Sequence, residues 1–346
     1  MSLSTALKTG DLTQLPSRRD EDWRWTDLRG LIRSVPPASP QADAPAGGPF
    51  AAVEGGTELA VVNGRVEGFP SLVAKGEGDH LARLRFVSTT EATGHQARIE
   101  VEVRDGATLT LLESYEGLAA GYLASAELAI TVRAGCRLER IVLAADEAEA
   151  VSVSIAEVTL EPGATFEQTV LTTGARRQRL ETRLTHPGEG ASVRLDGAYI
   201  LSGQGHADLT TEVTHGGLDG TTSQLTKGVV RDQARGVFQG RIVVERGADR
   251  TDARMRHQAL ILSERAEIDA KPELLIFADD VQCAHGNTVG ALDESAIFYA
   301  MQRGIPADQA RAMLITAFVG EVVDRIGHEG AREIARAWAE TQLGTV

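Results

Sequence analysis

Four stretches of the 346-residue chain follow one pattern: "VEVRDGATLTLLES", "ITVRAGCRLERIVL", "VTLEPGATFEQTVL" and, more loosely, "THPGEGASVRLDGAYIL". Each is an alternating strand, a glycine-centred turn and a second alternating strand. The turn glycines are Gly106, Gly135, Gly163 and Gly190, at spacings of 29, 28 and 27, and Gly247 follows 57 residues later, or two more steps. A unit of about 28 residues containing only short strands is too short for a propeller blade and holds no helix for a leucine-rich repeat. Stacked coils of a β-solenoid fit it. A β-sandwich has similar strand lengths but does not require one turn to recur at constant spacing. Alternation then sets the faces: Val101, Val103, Leu109 and Leu111 point inward, and Glu102, Arg104, Thr108 and Thr110 point outward.

The rest of the chain divides by composition. Residues 1–33 are expected to be an N-terminal helical region, with helix running to about residue 33. Trp23 and Trp25 there either anchor the region on the body or form a docking patch. Residues 34–49 hold five of the eleven prolines and read as a linker, because proline lacks a backbone donor. Residues 50–290 are the β-helix core. Residues 291–346 form a C-terminal helical subdomain: one helix capped by Asp293 and stopped at Gly304, a second from Ala307 lined by Ala310, Met313, Leu314, Ala317, Phe318 and Val322, and a third carrying Ile334 and Trp338. Their apolar stripes exceed what three short helices hide among themselves, which implies packing on the solenoid end or on another chain.

A formal charge of -14 argues against a nucleic-acid surface. No apolar run approaches the roughly 20 residues needed to cross a bilayer, so no membrane role is expected. Two cysteines and no basic-then-apolar leader point to a reducing, cytoplasmic setting.

Enzyme signatures are missing: there is no phosphate-loop pattern, G-x-S-x-G, H-E-x-x-H or paired C-x-x-C, so no catalytic residue is assigned. The glycines of "HGGLDG" and "ARGVFQG" read as corners. His186, His206 and His215 are scattered over successive coils as ordinary core or surface residues. Cys136 takes the place that Ala107 and Ala164 hold in their repeats, a small structural side chain. In "DDVQCAHGNTVG", Cys283 and His285 lie two apart on a strand and so share one face. Thiolate and imidazole suit zinc, iron or an iron-sulfur centre, but two ligands cannot close a tetrahedral site. The pair is either half of a metal site that a partner completes or incidental.

The stretch from Gly236 to Ile305 resembles the core of the SufB/SufD family of iron-sulfur cluster assembly proteins, through Phe238-x-Gly240, "IDAKPELLIFADDVQCAHG", "FYAMQRGI" and the helix from Ala310 to Phe318. "EDWRWTDL", residues 21–28, is similar to the family's N-terminal signature. The likeness covers about 110 C-terminal residues and this short piece. A short N-terminal region and few cysteines resemble the SufD branch more than the SufB branch. The resemblance implies a mainly β fold, a right-handed parallel β-helix (β-solenoid) flanked by N-terminal and C-terminal helical regions. It implies a non-enzymatic scaffold of the SufBCD complex that pairs with SufB through the β-helix and binds the SufC ATPase through the C-terminal helices. A nascent iron-sulfur cluster, transient and shared with SufB, would assemble at the SufB-SufD interface, with none held stably by the isolated chain. His285 matches the family histidine implicated there and Cys283 the preceding cysteine, so both are carried as cluster-binding and metal ligands. Homodimerisation of the isolated chain is a further expectation, given a solenoid edge seeking a partner. The rival reading is a β-helix carbohydrate-active enzyme, which would want clustered carboxylates, stacked aromatics and secretion. Fifteen aromatics and evenly spread acids argue against it. A metal-binding module acting alone is the third.

Overall fold

The structure, a computed structural model, describes residues 1–344, so the last two positions of the expected 291–346 subdomain lie outside the described residues. Eighteen strands form a ten-stranded and an eight-stranded sheet, and from Gly78 onward successive strands alternate between the two. Every strand-to-strand pairing between coils is parallel; the antiparallel pairings are a short hairpin of Thr57–Val62 with Arg65–Val66 at the N-terminal end and an isolated bridge between Ala175 and His206. This is a parallel β-solenoid, each coil giving one strand to each sheet.

The repeat glycines are the corners that lead into the ten-stranded sheet. Gly106, Gly135, Gly163 and Gly190 have φ between 66° and 80°, a region that favours glycine. Because the corner recurs at nearly constant spacing, identical positions stack in columns. Leu109 pairs with Leu138, Leu138 with Phe166, and Phe166 with Val193. From the other sheet, Val103, Val132 and Leu160 form a second buried column. Burying a Leu or Phe fully is worth about 1.5–3 kcal/mol, and here it requires the next coil as a lid. Cys136 is buried between Ala107 and Ala164 in a column of small side chains.

The N-terminal region is not one helix. Helix α1 spans Leu3–Thr9 and ends at Gly10 with φ 74°. Asp11 and Asp20 then hold tight turns with their carboxylates, and Pro16 lacks the N–H a helix would use. The segment instead runs as a strap over the outer face of the eight-stranded sheet. Leu3, Ala6, Leu15, Leu28 and Ile32 pack on Leu123, Val151 and Val153. Trp23 lies under the Arg179 guanidinium, 4.3 Å from ring centroid to carbon, which makes it an anchor.

Three helices follow the solenoid: α2 (Glu294–Gln302), α3 (Ala307–Val323) and α4 (Glu329–Gly344). Asp293 caps α2 by accepting from Ser295 N–H. The helices dock on the flank of the ten-stranded sheet, not on the solenoid end. Leu112, Ile141, Leu171, Leu225 and Val229 on the sheet's outer face meet Ile315, Val319, Val322 and Val323 of α3. The buried stripe of α3 is therefore rotated from the expected one, leaving Met313 52% exposed and Ala317 exposed. Polar ties fix the docking. Glu139 accepts from the backbone N–H of Gly327 and His328, at 2.5 and 3.0 Å, and buried Lys227 meets Glu321 at 2.6 Å. No helix among the described residues is long and apolar enough to cross a membrane.

Candidate functional site at the open end of the solenoid

Val281–Gly290 is the outermost strand of the ten-stranded sheet, and Glu267–Ile276 is the outermost strand of the eight-stranded one. No coil among the described residues covers them. The inward columns therefore end at an open face. In register, Cys283 lies over Ala253, His285 over Met255 and Asn287 over His257. Ala253, Met255 and His257 are buried; one rung further out, Cys283 is half-buried and His285 and Asn287 are exposed.

Cys283 packs at the rim of the last core cluster, with Phe238, Ile242, Val244, Ala253 and Met255. Burial pushes its thiol up, so at neutral pH it is a protonated thiol. His285 stands two residues on, about 6.6 Å along the strand at 3.3 Å per residue. Both side chains belong to the inward row, so the structure places them together on one face. Among the described residues, no three His, Cys, Asp or Glu side chains gather closely enough to hold a metal ion. A thiol and an imidazole on one face are a donor pair of the kind that suits a soft metal, and two donors do not close a site.

The row has a third polar member that the sequence reading missed. His257 stacks on Phe238, with centroids 4.6 Å apart and planes 2° from parallel. Its Nδ1 lies 2.7 Å from Asn287 Oδ1 and its Nε2 2.8 Å from the Tyr199 hydroxyl. Burial pulls the ring down to about 4, so it is neutral at physiological pH. Continuing the alternation from Cys283 and His285 by one more step would have reached Asn287.

Other sequence candidates resolve differently. His186 and His215 are not isolated: they pair in register on adjacent strands, and their rings stack with centroids 4.4 Å apart. Burial pulls His215 down to about 3, and its ring abuts Gly220, where an added Cβ would fall 2.6 Å from Nδ1. His206 is buried at the strap, its Nε2 3.0 Å from the Trp25 carbonyl. The glycines of "HGGLDG" turn a corner, but Gly236 and Gly240 of "ARGVFQG" lie inside the strand Arg235–Val244. A Cβ on Gly236 would fall 2.3 Å from the Tyr199 ring, and one on Gly240 would fall 2.2 Å from the Met255 sulfur. They are glycines of close approach.

The strap carries a second buried constellation. Arg179 pairs with Asp208 and Glu181, each at 2.8 Å, and donates to the Asp22 carbonyl at 2.7 Å. Thr26 donates to Asp208 at 2.5 Å. These groups satisfy one another and hold the strap down.

The molecule is thus a parallel β-solenoid with helices on its flank and a short polar row at its uncovered end. The family model described as "SUF system FeS cluster assembly, SufBD core domain" matches residues 86–318, and the chain belongs to that family of iron-sulfur cluster assembly proteins. Its likeness is to proteins of the SufD type. The Escherichia coli (strain K12) iron-sulfur cluster assembly protein SufD is 29% identical over 96% of this chain and 89% of its own length. The Bacillus subtilis (strain 168) protein of that name is 35% identical over 40% of this chain and 33% of its own length. A SufBD family protein of Synechocystis is 28% identical over 71% and 56%.

Proposed function

We propose that the chain is a non-enzymatic scaffold subunit in iron-sulfur cluster assembly, contributing His285 and Cys283 to a site that a SufB-like partner completes at the open solenoid end. One observation carries this reading: Cys283 and His285 occupy the inward row of the last rung, which no further coil among the described residues covers. The nascent cluster is the transient substrate of that shared site and is not stably held by the isolated chain. Leu275, Ile276, Phe277 and Val289, exposed around the same end, supply apolar area for the partner. In the absence of that partner, a second copy of this chain would take the same surface.

The second contact of the scaffold is with a SufC-type ATPase through the C-terminal helices. Support comes from α2, where Phe298, Tyr299 and Met301 are exposed while Ile297 is buried. The carbohydrate-enzyme alternative gains no support from the surface, where carboxylates such as Glu102 and Glu161 are engaged by an arginine, Arg133, along the columns.

The test is complementation in the host with His285→Ala, alongside recovery of the chain with its bound proteins. The variant is expected to fold, to co-purify with a SufB-like chain and an ABC-type ATPase, and to fail in cluster assembly. Full assembly activity with His285→Ala would remove the ligand role, and recovery of the chain without either protein would remove the scaffold role.

A further inference from the structure

Deep to the open-end row lies a hydrogen-bond chain with a fixed direction. Tyr199 is fully buried, and its ring is clamped between Gly228 and Gly236, where added Cβ atoms would fall 2.2 and 2.3 Å from ring atoms. The hydroxyl therefore cannot swing to another acceptor, and its partner is His257 Nε2 at 2.8 Å. A phenol has one hydrogen to donate, and a neutral imidazole has one N–H and one bare nitrogen. If Nε2 carried the ring proton, the Tyr199 hydrogen would be buried without an acceptor, the costly arrangement for a polar group. Tyr199 O–H therefore donates to Nε2, Nδ1 carries the ring proton, and Nδ1–H donates to Asn287 Oδ1 at 2.7 Å. That assigns the amide, since its oxygen faces the ring and its nitrogen faces away. Asn287 is exposed, on the same face as His285 and one step further along the row.

We infer that Asn287 is the hydrogen-bond donor of the open-end site, held with its amide N–H pair outward by the Tyr199–His257 chain, and that it takes a sulfide sulfur of the substrate beside His285. The inference rests on the proposed assembly site. Sulfide is the acceptor that chemistry favours, because electron-rich sulfurs bound to iron accept N–H hydrogen bonds and are tuned by them. Asn287 binds no metal in this arrangement; its oxygen is already taken by His257. Tyr199 and His257 are positioning residues that act through it.

Two measurements test this separately from the ligand reading. Long-range proton–nitrogen NMR of the full chain with labelled histidine reads the His257 tautomer directly. Nδ1–H is expected, and Tyr199→Phe should turn it into a mixture, which a merely space-filling tyrosine would not do. An Nε2–H tautomer in the unaltered chain overturns the inference. The second measurement titrates the complex recovered from the host, anaerobically, with ferrous iron and then sodium sulfide. Asn287→Ala should leave iron uptake unchanged and weaken sulfide uptake about tenfold, the effect of one hydrogen bond to a charged group. Equal sulfide uptake overturns the donor role while the ligand role stands. Undiminished iron uptake in His285→Ala overturns the ligand role, and the tautomer still decides the chain.

Discussion

Removing the Arg179 charge should loosen the N-terminal strap, and the cause should be the carboxylates left behind. Arg179→Met keeps the apolar stem and deletes the guanidinium. Arg179 is 1% exposed and Asp208 is fully buried, and they meet at 2.8 Å. Without the cation, Asp208 keeps hydroxyl and amide donors from Thr26, Thr210 and Gln239, but its charge has no counter-ion. Glu181 retains Arg183 at 2.7 Å. Breaking a buried pair from one side costs about 3–5 kcal/mol. The strap's remaining ion pairs, Arg241 with Asp22 and Lys271 with Glu21, each place a carboxylate where solvent screens it. They cannot restore the loss. The strap should therefore detach before the solenoid melts. The assay is urea titration read by tryptophan fluorescence, with Trp338→Phe in the background so that Trp23 and Trp25 report, and by circular dichroism for the sheets. In Arg179→Met the fluorescence transition should move to lower urea and separate from the dichroism transition. Asp208→Asn, added to Arg179→Met, keeps an acceptor for Thr26 and removes the orphaned charge, so the double variant should recover part of the stability. A double variant no more stable than the single one would refute the electrostatic account and leave lost packing on Trp23 as the cause.

Two further predictions concern the core. His95 and His257 are held down to about 4 and His215 to about 3, each mainly by burial, whereas the unfolded rings titrate near 6.5. The unfolded chain thus binds more protons below pH 6.5, and stability present above that pH is lost as pH falls toward 4, by about 2 kcal/mol at pH 5 for a ring shifted to 4. Asp146 and Asp196, raised by burial, act in the opposite sense. Urea midpoints should be lower at pH 5 than at pH 7, and equal midpoints would count against buried neutral rings. Gly236→Ala should cost about 1–3 kcal/mol by forcing the Tyr199 ring to move, whereas Gly320→Ala, in α3 with open space at its Cβ, should stabilise by up to about 1 kcal/mol. Thermal melts of the two variants should shift in opposite directions.

What the sequence revealed was what repeats. A column of stacked residues writes the same pattern into the chain about every 28 positions, so Val101, Val103, Leu109 and Leu111 could be placed inside, and Cys136 could be matched to Ala107 and Ala164. The helix cap at Asp293 was legible because its signal is local. Contacts that join distant segments once left no pattern. Glu139 holding the start of α4 and Arg179 holding the strap are single polar residues at ordinary strand positions. Gly236 and Gly240 looked like corners because sequence does not say whether a glycine is chosen for its φ or for a neighbour's bulk. Arg140 was hidden for a related reason. It points into the solenoid at an inward position and is matched there by Glu113 at 2.6 Å and Gln168 at 2.6 Å, a compensation invisible until the coils are stacked.

The location of the candidate site follows from the same stacking. In the interior of a solenoid every inward side chain is closed off by the next coil, so an inward column can offer chemistry to another molecule only where the coils stop. Above His285's position the column would continue as it does below, through Met255, Gln224 and Leu195, if another rung existed. Instead the last rung places a thiol, an imidazole and an amide on the inward face, with exposed Leu275, Ile276, Phe277 and Val289 around the same end. An edge meant to face water is ordinarily blunted with charge or proline, because uncovered strand and apolar surface invite association; Glu267–Ile276 is blunted in this way by Lys271, Pro272 and Glu273, whereas Val281–Gly290 holds no proline, Asp, Glu, Lys or Arg. This end combines exposed apolar area with two side chains proposed as ligands, too few to close a site by themselves. The two features are explained together if the covering surface is another chain that supplies the missing ligands. An end that stayed monomeric and bound iron unaided would break that link between the uncovered columns and their incomplete chemistry.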